Sequence, residues 1–308
     1  MTALRWTAGL GAGALLVAAG VWLAAAACGL RTEQSALNEA LSLYQDQRDE
    51  PGPAVAKALG AVLDRNPGNA EANFRLGRVL QLGGRKKEAR ERYLASLRGN
   101  PFRGSAHYWL GRMHQDLAEP IPASRQMHRA AELSANQPDH LFRIGYYFYY
   151  RWKKRGDLGS LDESLDYFRK AAEIELSFLL KALTILSEFA LHYDTLRNVI
   201  PDNDEAHYQA GVYFGFRSGM WLFALNEFQK ARGLYATHPR FPLVLGLALL
   251  HNGQVRESRE HVLRGIDALG GLEKEILGLE IHYRAARQTE EGFSVMKELE
   301  ALYPRNPA

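Results

Sequence analysis

Cysteine is almost missing from this chain. Cys28 is the single one in 308 residues, which excludes a disulfide framework and any cysteine-built zinc site. Val, Ile and Thr are sparse beside Leu and Ala, which favours helix over sheet. Neither sign of charge dominates: Lys+Arg 38 against Asp+Glu 35 leaves +3, too small a bias to predict a nucleic-acid partner. Several chemical signatures are also absent. There is no H-E-x-x-H, no G-x-x-x-x-G-K-[ST] and no G-x-S-x-G, so zinc-protease, P-loop and serine-elbow chemistries have no motif to stand on. Gly9-Leu10-Gly11 lies inside an apolar run and cannot cradle phosphate. The ten His are scattered, and Glu88 and Glu91 need no partner to be explained as outer-surface carboxylates. No catalytic residue, metal ligand or cofactor is predicted, and the chain reads as a non-enzyme. What remains is normal for a folded protein, 46% hydrophobic and 24% charged.

The N-terminus carries a long apolar run. Trp6 to Leu30 has no charge and is bracketed by Arg5 and Arg31. As a helix it would be about 37 Å long, enough for a bilayer core of about 30 Å. This divides the chain into a membrane segment, 1–31, and a soluble part, 32–308. Three fates are open for the segment: retention as a signal anchor, cleavage after one of Ala24 to Ala27, or lipidation of Cys28. The stretch Leu23-Ala24-Ala25-Ala26-Ala27-Cys28 resembles a bacterial lipoprotein signal, with Ala25 where Leu is usual. A short basic tail before the span and a large domain after it predict an extracytoplasmic, periplasmic soluble part. Gly9 and Gly13, with Ala14 and Ala18, have the spacing of a close helix–helix contact.

The rest of the chain repeats. From Ala70 it reads AEANFRLGRVLQLGGRKKEARERYLASLRGNP. Leu76-Gly77 sit in a first helix, Gly84 ends it, Ala89, Tyr93 and Ser96 line a second, and Pro101 closes the unit. The pattern returns with Leu110-Gly111, Ala123, Met127 and Ala130; with Ile144-Gly145, Ser164, Phe168 and Ala171; with Ala210-Gly211, Ala224, Phe228 and Ala231; and with Leu245-Gly246, Ser258 and Val262. Residues 34–67 make a first pair closed by Asn66-Pro67. Leu176–Pro201 and Leu272–Pro304 are degenerate units. This resembles the tetratricopeptide repeat, a helix–turn–helix unit of about 34 residues. The resemblance implies an all-α, right-handed superhelical solenoid of about eight helix pairs, preceded by one transmembrane helix.

Two stretches depart from the period. The third unit is seven residues too long between Gly145 and Ser164, and the excess falls on Tyr149-Tyr150-Arg151-Trp152-Lys153-Lys154-Arg155. About two extra helical turns and a protruding basic, aromatic tip are expected there. Leu176 to Tyr193 is very apolar but holds Lys181 and Glu188, so a buried helix pair is expected rather than a second span.

The resemblance also implies where a partner would sit, because repeat positions 2, 5, 9, 12 and 13 line a groove in that family. Here those places supply Phe74, Arg78, Gln81, Tyr108, Arg112, Gln115, Phe142, Tyr146, Tyr149, Tyr150, Tyr208 and Phe216. Aromatic and Arg side chains are the usual anchors of an interface. The Lys and Asn of chaperone-binding repeats are not matched, since Phe74, Arg78 and Asp139 stand in their place. The tip Trp152, Lys153, Lys154 and Arg155 is a second candidate interface, toward lipid headgroups or a neighbouring protein. His107 and His114 share a face, but His107 occupies a packing position. The expected function is a membrane-anchored, non-catalytic scaffold that binds a protein or peptide in an envelope complex of the pilus-assembly or polysaccharide-export type. Tyr193 to Asp202 is faintly similar to repeat tails of polysaccharide polymerase or ligase proteins. The rivals are a permanent structural subunit of a large membrane assembly and an outer-membrane lipoprotein.

Overall fold

Every regular element among the described residues is helical. The computed structural model describes residues 29–47, 51–189 and 192–269. The expected anchor over 6–30 lies outside this range except for its last two residues. Cys28 and the degenerate unit Leu272–Pro304 lie outside it too. Among the described residues no helix is long and apolar enough to cross a membrane.

The helices come in pairs. Helix α1 covers residues 29–46 and α2 covers Pro53–Arg65. Then follow α3 (Ala70–Leu82), α4 (Lys86–Gly99), α5 (Gly104–Asp116) and α6 (Pro120–Leu133). These belong to one compact unit, and a second begins at Asn136. It holds α7 (Pro138–Arg155), α8 (Leu158–Ile174), α9 (Ser177–Ser187), α10 (Tyr193–Leu196), α11 (Asp204–Val212), α12 (Trp221–Lys230), α13 (Phe241–His251) and α14 (Val255–Leu269). Local chemistry sets the ends. Pro opens α2, α6 and α7, where its missing N–H costs nothing. The Asn69 and Asn203 side chains accept the backbone N–H of Ala72 and Ala206, each at 2.9 Å, and cap α3 and α11.

One contact recurs in each well-formed pair. A Cβ placed on Gly77 would lie 2.8 Å from the Tyr93 ring, on Gly145 2.8 Å from Phe168, and on Gly211 2.6 Å from Phe228. Gly111 meets Met127 and Gly246 meets Val262 in the same way. The missing side chain in the first helix is the space that the large side chain of the second helix fills. Tyr93, Phe168 and Phe228 are fully buried as a result.

The turns repeat as well. Arg85 donates its N–H to Leu80 O at 2.8 Å, Glu119 to His114 O at 2.8 Å, and Gln254 to Leu249 O at 3.0 Å. This six-to-one bond needs a left-handed residue before it. Gly84 and Gly253 supply it, while the α5–α6 turn uses Ala118 at φ 61°. The α11–α12 pair carries one extra residue: Gly211 to Ala224 is 13, whereas Gly77 to Ala89, Gly111 to Ala123 and Gly246 to Ser258 are 12. The extra residue is absorbed in a π turn at Tyr213–Arg217, and the closing bond lengthens by one residue, from Met220 N–H to Phe214 O.

The long third pair has helices of 18 and 17 residues, against 13 and 14 in α3 and α4. The apolar stretch from Leu176 corrects an expectation. It forms one buried helix, α9, rather than a pair. The second member shrinks to α10, of four residues, and a 3₁₀ turn at Arg197–Val199. Pro201, close behind, has no N–H with which to extend that helix. Helix α13 is buried on all sides from Phe241 to Leu250, as its nearly continuous apolar sequence requires.

A charged cluster ties the shortened unit to its neighbour. Glu227 of α12 is fully buried. Its carboxylate accepts His207 Nδ1 of α11 at 2.6 Å, Lys230 Nζ at 2.8 Å and the Tyr193 hydroxyl of α10. Burial pushes the Glu227 carboxyl up, but the hydrogen bonds from His207, Lys230 and Tyr193 outweigh it and hold the group below its ordinary range. The bond to Glu227 raises His207, against the opposing effect of burial.

Two expectations follow for stability. Gly211→Ala or Gly145→Ala should lower stability by roughly 1–3 kcal/mol through overpacking. Gly60→Ala, where an added Cβ meets nothing within 4 Å, should raise it by about 0.5–1 kcal/mol. Urea midpoints decide this, and equal effects at all three sites would refute the packing role. For pH, the Glu227 carboxylate contributes fully above its ordinary value of 4.5 and loses that contribution as pH falls through its lowered folded value. Protonated His207 contributes fully below its ordinary value of 6.5 and loses it as pH rises through its raised folded value. The stability difference between the native chain and Glu227→Gln should therefore be largest between these two ordinary values and shrink on both sides. A pH-independent difference would remove the charge pair from the account.

Candidate functional site

In the first unit the expected groove residues are mostly spent on packing. Phe74 is buried, with the Arg103 guanidinium 4.1 Å above its ring and Arg75 5.6 Å away. Glu71 pairs with both, at 2.6 Å to Arg75 and 2.5 Å to Arg103. Burial pushes the Glu71 carboxyl up, and the two guanidiniums more than reverse it. Arg78 lies 3.4 Å over Trp109 and donates to Gln81 Oε1 at 3.0 Å, which also accepts the Tyr93 hydroxyl at 2.7 Å. Tyr108 is buried edge-on to Trp109. Arg112 is half-buried, and among the described residues its Nε has no hydrogen-bond partner. Both ring nitrogens of His107 are engaged, by Gln126 Oε1 and Pro101 O.

In the second unit α7 builds an aromatic bed. Phe142, Tyr146 and Tyr149 stand at i, i+4 and i+7 and share a face. Phe142 packs on Phe168 at 4.9 Å and on Phe178 of α9 at 5.1 Å. Tyr149 is buried and donates to Ile185 O at 3.1 Å. Burial, with Glu188 and Tyr146 nearby, pushes its hydroxyl up to about 12. Trp152 is half-buried against Tyr149 and Phe189. The pairs Phe142–Phe178, Tyr149–Ile185 and Trp152–Phe189 advance together, so α9 runs parallel to α7, about one repeat later. Tyr146 and Tyr150 remain 45% and 38% exposed on this bed. Lys153 sits 4.5 Å over Phe189 and Lys154 4.8 Å over Tyr150. The groove tyrosines and the basic tip, separate features in the sequence, form one continuous aromatic surface.

Helix α11 and the π turn after it separate the two expected residues. Tyr208 is buried, 4.4 Å from His238 and 6.1 Å from Phe241. Phe216 is 42% exposed on the π turn, edge-on to Trp221, which stacks on His251 at 3.8 Å. Exposed Leu222 lies beside them. Sequence reasoning missed Phe189, Trp109 and Leu222. Phe189 had a signal: it follows Trp152 by about one repeat.

No protein-family model and no curated protein matches the chain. Solved helical-repeat proteins are similar to it at low identity. MamA is 19% identical over 62% of this chain and 91% of its own, with a TM-score of 0.37. YrrB, described as a TPR protein with an unusual peptide-binding site, is 21% identical over 71% and 90%, also at 0.37. Pseudomonas aeruginosa PilF is 17% identical over 77% and 93%, at 0.32. Likenesses this distant assign neither residues nor partners.

Proposed function

We propose that this chain is a non-catalytic adaptor of tetratricopeptide type, tethered through residues 6–30, that holds a segment of another protein in a bacterial envelope complex. The observation that carries the reading is that Tyr146 and Tyr150 of α7 and Phe216 of the π turn stay exposed, while Tyr147, Phe148, Tyr149, Tyr208, Tyr213 and Phe214 around them are buried. Large rings on a rigid bed lose little entropy when a partner covers them, so they are efficient anchors. Tethering raises the effective concentration of a partner in the same membrane, so each contact can be weak.

Site-specific photocrosslinking in native membranes tests this. A photoreactive phenylalanine at Tyr146 should trap a discrete protein, and the same group at Lys170 on α8 should not. Adding Tyr150→Ala and Phe216→Ala should cut the adduct by roughly tenfold or more, about 1.4 kcal/mol or more of lost contact. Helix content by circular dichroism should stay unchanged. The same adducts from both positions, or an adduct indifferent to the two substitutions, would overturn the reading.

A further inference from the structure

The hairpin joining α7 to α8 differs from its neighbours in surface chemistry as well as length. Lys153, Lys154 and Arg155 are consecutive and exposed in the last turn of α7. Leu158, the first residue of α8, is 70% exposed, and Tyr150 and Phe189 flank the cations at 38% each. Among the described residues no carboxylate pairs with Lys153, Lys154 or Arg155. The hairpin's own acid, Asp157, is taken by Arg151 at 3.2 Å and by the Ser160 hydroxyl at 2.7 Å. Glu188 is exposed, acts on the Tyr149 hydroxyl and makes no ion pair with these cations. The tip is rigid: Gly156 in the left-handed conformation accepts the turn, its N–H bonds Trp152 O at 2.8 Å, and Trp152 is wedged between Tyr149 and Phe189.

We propose that this tip docks on anionic lipid headgroups. Three adjacent cations next to projecting apolar and aromatic side chains are what an anionic bilayer surface selects, since the charges meet phosphates while Leu158 and the rings enter the interface. The uncharged run Trp6–Leu30, long enough to span a bilayer, keeps the chain at such a surface. An acidic peptide would also meet the cations, but it has no use for a leucine projecting at the end of a hairpin. The contact shares Tyr150 with the face around Tyr146, but its charges and its projecting leucine, Lys153, Lys154, Arg155 and Leu158, belong to the tip alone. Held against lipid, the second unit would present that face at a fixed height above the membrane.

The test uses the full chain with Cys28→Ser, reconstituted into vesicles of phosphatidylcholine alone or with roughly one-third phosphatidylglycerol. Because the N-terminal segment tethers every molecule, the readout is the position of the tip rather than vesicle binding. Leu158→Cys carries an environment-sensitive fluorophore; Glu173→Cys, at the other end of α8 and about 22 Å away along the axis, is the reference. The label at 158 should shift to the blue and be quenched by nitroxide-bearing lipids in anionic vesicles only, and the label at 173 should not. Each cation removed should weaken the lipid-bound fraction of the tip roughly fivefold. Lys153→Gln/Lys154→Gln should then lower the bound-to-free ratio about 25-fold, and Lys153→Glu/Lys154→Glu should abolish quenching, with helix content unchanged. Quenching equal in neutral vesicles, quenching equal at 158 and 173, or no quenching together with binding of a polyglutamate peptide would each overturn the proposal.

Discussion

The structure depends on how closely two helices can approach. In each regular pair a glycine of the first helix faces a large side chain of the second, and a Cβ at that glycine would overlap it. That fit sets the separation of the pair. It also seals the facing side chain, Tyr93, Met127, Phe168, Phe228 or Val262, fully inside the core. Everything else is arranged around it: Pro or Asn to start helices, a left-handed residue to reverse the chain, and a period that brings the next first helix alongside.

Departures from the repeat are where candidate functional surfaces arise. The seven added residues extend α7 and α8: Tyr149 is drawn into the core and Trp152 is half-buried against it, while Tyr150, Lys153, Lys154 and Arg155 stay exposed. The one added residue in the α11–α12 pair is absorbed by a π turn, which leaves Phe216 exposed beside Trp221. The shortened second half of the α9 unit creates a different need. With only one turn of helix to offer, α10 is bound to α11 and α12 through the Tyr193–Glu227–His207 cluster instead of through a full apolar face. A buried carboxylate is tolerated there because three donors surround it.

Packing sorted the expected groove residues into two classes. Phe74, Tyr108, Tyr149 and Tyr208 are buried, and Arg78 is stacked on Trp109. Tyr146, Tyr150 and Phe216 stay exposed. Repeat position alone does not separate these classes, because an aromatic ring on a first helix can turn toward the next first helix as easily as toward solvent. The neighbour decides, and the neighbour is about one repeat away in the chain.

The sequence by itself determined the helical class, the paired period of the well-formed units and the seven-residue extension. The class follows from composition and the pairing from local spacing; a period of about 34 residues shows the pairing several times and makes the one extension stand out. Only the tertiary structure decided that Phe189 completes the bed under Lys153, that Arg78 is consumed by Trp109, that Leu176–Tyr193 makes one helix rather than two, and that His207 and Tyr193 converge on Glu227. Those outcomes depend on which side chains meet across neighbouring helices. Hydrophobic pattern fixes which face of a helix is covered, but the covering atoms come from distant residues, whose identity no local pattern encodes.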